Sequence, residues 1–210
     1  MLTYEMILEK IKNKEPFSFS RWWDGERDFM FKLTNKPNCD GNTHLPAMWD
    51  ELKQIIDSRP DYYLGMQWLA MTLHWWALIP YINNMNWVNA DIIHFRSIDS
   101  WLNDIIELLN ESDTIMVWAE YLKDIWCYKE FVQTPNLDSH NEIDRIMEDI
   151  ENKLWDFNVV VFAVGATTNC LIDRLYKKYW NKHILLDIGS ALDPYVWRRN
   201  RVYQHDLVIK

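Results

Sequence analysis

The chain has 210 residues, 49% of them hydrophobic, and a formal net charge of −9. That length and apolar content suit one globular α/β domain with a real core, or one carrying a small helical insertion around 67–110. The acidic balance argues against a broad phosphate-backbone footprint, because nonspecific nucleic-acid binding relies on clustered Lys and Arg.

Met1 to Lys14 carries Glu5, Glu9, Lys10, Lys12 and Lys14 without an apolar run, so no signal peptide is expected. The apolar stretch from Trp68 to Ile82 is broken by Thr72, His74 and Pro80 and is too short for a bilayer. Cys39, Cys127 and Cys170 are widely separated and suggest neither zinc nor a disulfide framework. A cytoplasmic protein is expected.

Tyr4, Ile7, Leu8 and Ile11 recur at helical spacing before Pro16, and Phe17-Ser18-Phe19-Ser20 alternates as a strand. The chain then reads Arg21-Trp22-Trp23-Asp24-Gly25-Glu26. Two carboxylates flanking a glycine can hold a hard divalent cation such as Mg²⁺ or Mn²⁺, and Gly25 lets a charged ligand approach the backbone. Arg21 can fork onto a diphosphate or hold Asp24. The same residues also fit a plain Asp-Gly turn in which Asp24 caps a helix and Glu26 meets its dipole.

A helix is expected over Leu45 to Ser58, a short strand over Asp61 to Gly65, and a buried helix from Gln67 to Asn83, with Pro80 kinking or ending it. Ile98 to Leu109 is amphipathic, Thr114 to Trp118 is a buried strand, Glu130 to Gln133 is another strand, and Asn141 to Leu154 carries a helical apolar stripe. Asn158 to Val164 is continuously apolar, a helix follows from about Thr168 to Tyr179, and His183 to Ile188 is a second apolar strand. Strands of this kind, alternating with helices, imply a Rossmann-like, mostly parallel sheet covered by helices on both faces. Ligands in such sheets bind beyond the carboxyl ends of the strands. Arg21 to Glu26, Gly165 to Asn169 and Asp187 to Asp193 are therefore expected to share one edge.

Gly165-Ala166-Thr167-Thr168 opens a helix whose free N–H groups attract phosphate, although Thr167 or Thr168 can equally serve as a cap. Walker, dinucleotide-fingerprint, zincin and nucleophile-elbow motifs are absent. Arg174, Lys177, Lys178, Lys182 and Arg198-Arg199-Asn200-Arg201 make the last quarter more basic, which fits either a solvated face or contact with a nucleic-acid backbone.

Together the segments resemble the GT-D-type glycosyltransferases. The matching residues are Phe17 to Arg21 with Asp24-Gly25-Glu26, Val88-Asn89-Ala90-Asp91-Ile92-Ile93-His94, Phe162 to Thr168, and Leu186-Asp187-Ile188-Gly189-Ser190. The resemblance implies a nucleoside-diphosphate sugar donor and a Mn²⁺ or Mg²⁺ ion on Asp24 and Glu26. It assigns Arg21, Gly165, Ala166, Thr167, Thr168, Asp187, Gly189 and Ser190 to the donor site. Trp23 stands where the family has a small residue, and Ser190-Ala191-Leu192-Asp193-Pro194-Tyr195 looks more like phage-encoded relatives. The acceptors implied are a glycan, a protein, or a hydroxymethylated base in phage DNA. Glu26, Asp193 and His94 are candidates for an acceptor base, with helix capping for Asp193 and core packing for His94 as the plainer readings. Two other classes fit parts of the sequence. One is a noncatalytic nucleotide-sugar or interaction module, with Thr34 to Asn42 as a partner loop. The other is a metal nuclease using Glu51-x-Lys53 or Glu151-x-Lys153.

Overall fold

The computed structural model describes residues 2–22, 26, 37, 41–43, 46–67, 85–94 and 102–196. Asp24, Gly25, Cys39, Arg198, Arg199, Arg201, all but the first residue of the helix expected from Gln67 to Asn83, and most of the 34–42 segment lie outside these residues.

Within them run α1 (Tyr4–Asn13), β1 (Phe17–Trp22), α2 (Pro46–Ser58), β2 (Tyr63–Met66), β3 (Asn86–Asn89), α3 (Asn103–Glu111), β4 (Thr114–Ala119), β5 (Glu130–Thr134), α4 (Ile143–Glu151), β6 (Val159–Phe162), α5 (Thr167–Tyr179) and β7 (Ile184–Asp187). The strands form one sheet in the order β3-β2-β1-β7-β6-β4-β5. Every pairing is parallel, so the sheet is parallel throughout and all seven carboxyl ends share one edge.

Alternation along the strands divides the core into two layers. Ile115, Val117, Val160, Phe162 and Leu185 face the layer that includes residues of α2, α4 and α5. Phe17, Phe19, Met116, Trp118, Val159, Val161, Ile184 and Leu186 face the layer that includes residues of α1 and α3. Strands buried on both sides need apolar residues at every position, which is why β4, β6 and β7 read as unbroken hydrophobic runs.

β1 departs from an inside/outside alternation, since Ser18 and Ser20 are as buried as Phe17 and Phe19. Their small side chains lie beneath α5, which packs closely on β1. The chain thus places bulk on one face of β1 and room for a helix on the other.

Several boundaries move from expectation, and one strand was not expected. The helix expected over Asn141 to Leu154 begins as a 3₁₀ turn over Ser139–Glu142 and is α-helical only over Ile143–Glu151. β3 has a single buried residue, Val88, and no sequence run announces it. No helix among the described residues is long and apolar enough to cross a membrane.

Candidate functional site at the carboxyl edge of the sheet

At the end of β1, Arg21 is only 6% exposed and is held from several directions. Its backbone N–H donates to Asp187 Oδ2 at 3.0 Å, and its carbonyl accepts from Asn169 Nδ2 at 3.0 Å. Its Nε donates to the Ala90 carbonyl at 2.9 Å, and Nη2 stands 4.0 Å from Asp91 Oδ1. The end of β1 and segments at or after the ends of β3, β6 and β7 are thereby tied together around one arginine, by its backbone and its guanidinium.

Asp187 is the buried hinge of this arrangement. Besides Arg21, it accepts the Gly189 N–H on Oδ1 at 3.0 Å. Burial pushes its carboxyl up to about 6, against the pull of Arg21 and the two backbone N–H groups. Burial likewise raises Asp91, which Arg21 only partly offsets. The next turn needs glycine twice over. Gly189 has φ +50, and a Cβ there would lie 2.0 Å from Arg21 Nη1. His94 Cε1 would be 3.6 Å from the same Cβ, so His94 belongs to this cluster although it is buried.

Gly165, with φ +57, leads into α5. Among the described residues no side chain caps that helix. Thr168 Oγ1 instead accepts the Val164 N–H at 3.1 Å, closing the turn from within, so the threonine holds the loop and does not occupy the helix end. The first turn is tight, with the Thr168 and Asn169 N–H groups donating to the Gly165 and Ala166 carbonyls at 2.9 and 3.2 Å, and the start of a 13-residue helix attracts an anion through its dipole. Asn169 lies on the Arg21 side of this first turn. Ala166 and Thr167 line a pocket of about 10 Å³ on the other side, with Asn42, Thr43, Met48, Asp138, His140 and Val164.

Of the residues expected in the site, Arg21, His94, Asp187 and Gly189 come together. Gly165, Ala166, Thr167 and Thr168 form the adjoining turn. Ser190 and Asp193 follow in a 3₁₀ stretch over Gly189–Val196, with Asp193 buried and Ser190 partly exposed. Both have interaction partners, as does Glu26, which is helical and half-buried. Three residues separate Glu26 from Trp22 at the end of β1, and the four Cα steps limit it to about 14 Å from that edge. Asp24 lies outside the described residues. The Asp24–Glu26 donor set is all oxygen and fits Mg²⁺ or Mn²⁺.

Asn169 and His140 were not singled out from the sequence. Asn169 directly follows the Thr167-Thr168 pair, a position from which a helix's first turn reaches the sheet. His140 has no local signature, because its partner Glu51 is 89 residues away. Arg174 donates Nε and Nη2 to Glu51 at 2.6 and 2.9 Å, and Nη1 to Asp144 at 2.8 Å. His140 Nε2 meets Glu51 Oε2 at 3.0 Å. Burial opposes ionisation of Glu51, but the hydrogen bonds from His140 and Arg174 prevail and hold its carboxyl down at about 2.

Donor atoms of Glu51, His140 and Cys170 lie within 4.8 Å of one another. A cation there would have to displace the guanidinium from Glu51 and ionise a thiol that burial keeps well above its ordinary value. The cluster is an ion-pair network. Neither Glu-x-Lys pair forms a joint site. Lys53 pairs with Asp57, Glu151 with Lys178, and Lys153 with Glu130.

No family model and no curated protein matches the chain. Two solved structures of the domain of unknown function 1792 are similar in fold. One, described as having a distinct glycosyltransferase fold, superposes with a TM-score of 0.66 at 17% identity, over 93% of this chain and 80% of that one. The other, a selenomethionine-substituted form of that domain, gives a TM-score of 0.68 at 16% identity, over 100% and 89% of the two chains. The protein therefore has a glycosyltransferase fold, a single parallel sheet flanked by helices.

Proposed function

We propose that the chain is a glycosyltransferase that moves a sugar from a nucleoside-diphosphate donor to an acceptor hydroxyl, with Mn²⁺ or Mg²⁺ held by Asp24 and Glu26. The observation that carries this is the meeting of Arg21, Asp187, Gly189 and the start of α5 at one sheet edge, in a fold like that of a domain described as having a distinct glycosyltransferase fold.

Breaking a glycosyl–diphosphate bond leaves negative charge on the departing oxygen. The α5 N-terminus and the Gly165 turn supply oriented N–H groups for that charge, and the buried Arg21 adds a fixed positive field without leaving its own partners. The metal, when bound, neutralises the diphosphate as a Lewis acid. Asp187 spends both oxygens on backbone N–H groups, so its part is to fix Arg21 and Gly189. Glu26, Asp193 and His94 are the candidates for taking the acceptor proton. His94 approaches the Arg21–Gly189 cluster, with Cε1 3.6 Å from the Cβ position of Gly189.

The test is release of nucleoside diphosphate from a panel of sugar nucleotides, with Mn²⁺, Mg²⁺ or chelator. Metal-dependent release from one donor is expected, and no release from any donor refutes the reading.

A further inference from the structure

The amino edge of the sheet, opposite the candidate site, carries an open cleft of about 540 Å³. Its walls belong to the connections that enter four neighbouring strands. Lys14 precedes β1, Lys182 precedes β7, Asp156 precedes β6 and Asp113 precedes β4. The strand order β1-β7-β6-β4 therefore sets the charges along this edge as two cations followed by two anions. Neighbouring strands lie about 4.8 Å apart, which spreads the four over about 14 Å. All four residues are exposed, and among the described residues none of them makes an ion pair, whereas Lys10, Lys153, Lys177 and Lys178 are each paired within the chain.

The walls are held from beneath. Asn158 is 2% exposed and spends its polar groups on the connections around it. Its Nδ2 donates to the Asp113 carbonyl at 3.1 Å, its Oδ1 accepts the Trp155 N–H at 2.6 Å, and its own N–H donates to His183 Nδ1 at 3.2 Å, next to Lys182. Trp155 lines the cleft and, although its backbone is fixed in this way, is 72% exposed. Trp180, in the connection that carries Lys182, is 70% exposed. Trp180 and Asn181 have φ +35 and +53, a conformation that such residues adopt only where their surroundings impose it. The two indoles follow α4 and α5, helices of one layer, and so emerge on the same face of the edge, Trp155 on the β6 side and Trp180 on the β7 side. Large aromatics left in water at a fixed position mark a contact surface.

We propose that this edge docks a second copy of the chain about a two-fold axis that runs normal to the sheet and passes between β7 and β6. A row that reads cation, cation, anion, anion is its own complement when reversed, which is what an isologous interface requires. Lys14 then faces the partner's Asp113, Lys182 faces the partner's Asp156, and Trp155 meets the partner's Trp180. A polyanion or a polycation is attracted by one half of the row and repelled by the other, so the balanced pattern disfavours nucleic acid and an anionic membrane. Both carboxyl edges point outward in such a dimer, leaving the two candidate sites open. The charge row and the exposed indoles carry this inference, and it stands whether or not the chain transfers a sugar.

The experiment is sedimentation equilibrium of the full chain from micromolar to near-millimolar concentration, with two double variants, Lys14→Glu with Lys182→Glu and Asp113→Lys with Asp156→Lys. Wild type is expected to form a dimer that dissociates in the micromolar range, as small polar interfaces do, and that added salt weakens. Each variant alone sets like charges opposite one another, and its self-association is expected to be at least about tenfold weaker. An equimolar mixture pairs an all-acidic row with an all-basic one and is expected to form a heterodimer at least as tight as the wild-type dimer. All four positions are exposed, so both variants are expected to melt with wild type. Wild type that stays monomeric over the whole range overturns the proposal, and so do variants that dimerise as wild type does. A mixture that associates no better than either variant alone overturns the two-fold pairing of the row.

Discussion

At the scale of single residues, the site is a set of buried polar atoms holding one another in place. Gly189 shows how little slack remains. A methyl group there meets Arg21 Nη1 at 2.0 Å in a backbone conformation that L side chains rarely adopt. Gly189→Ala is expected to cost about 2–4 kcal/mol, since Arg21 can yield only by abandoning Ala90 and Asp91. Urea denaturation measures this, and a cost below about 1 kcal/mol would mean that Arg21 moves freely. Asp187 makes a signed claim about pH. Its carboxyl is raised from 3.8 to about 6, so between those values the folded state binds the extra proton and stability falls as pH rises. Relative to Asp187→Asn, wild type is expected to lose up to about 3 kcal/mol between pH 4 and pH 7. A flat difference would contradict the buried, desolvated carboxylate.

At the scale of elements, α2, α4 and α5 are joined by the Glu51–Arg174–Asp144 pairs, with His140 attached from the 3₁₀ turn before α4. The Glu51 carboxyl is lowered to about 2, the opposite sense from Asp187. Its contribution is therefore complete above about pH 4.5 and lost as pH falls toward 2. Arg174→Met leaves Glu51 with His140 alone, and a loss of about 1–3 kcal/mol at neutral pH is expected, below the range for a fully buried pair because both groups touch solvent. Acid titration of the two proteins should converge only as pH falls to about 2, and parallel curves would show that the pair does not set the Glu51 value.

Elements differ in how far the sequence reveals them, and burial explains the difference. β4, β6 and β7 sit inside the sheet, covered on both faces, so their apolar runs could mean little else. β3 is an edge strand of four residues with Val88 alone buried, and nothing in Asn86-Trp87-Val88-Asn89 separates it from a loop. Within the site, the Arg21, Gly165 and Asp187 segments were legible because strand ends in a parallel sheet must share an edge. His140 and Glu51 were not, because their contact arises only when the β5–α4 connection folds against α2. Asn169 was hidden for another reason. A polar residue in a helix's first turn suggests a solvated position, and only its burial and its hydrogen bond to the Arg21 carbonyl show that it reaches β1.

At the scale of the whole molecule, one parallel sheet carries its polar chemistry at the carboxyl edge and its ion-pair staples on the helices outside it. The strand order places β1 and β7 side by side, so Arg21 and Asp187 meet by register and not by loop flexibility. The central claim is that this edge, completed by Asp24 and Glu26, transfers a sugar with the help of a divalent cation. Its most direct test is Mn²⁺-dependent release of nucleoside diphosphate, measured for wild type, Asp24→Ala and Glu26→Ala with the donor that wild type accepts. A fall of at least about 100-fold in both variants, with melting temperatures unchanged, is the expected result, in line with losing a group that stabilises transition-state charge. Turnover equal to wild type in both variants would contradict it.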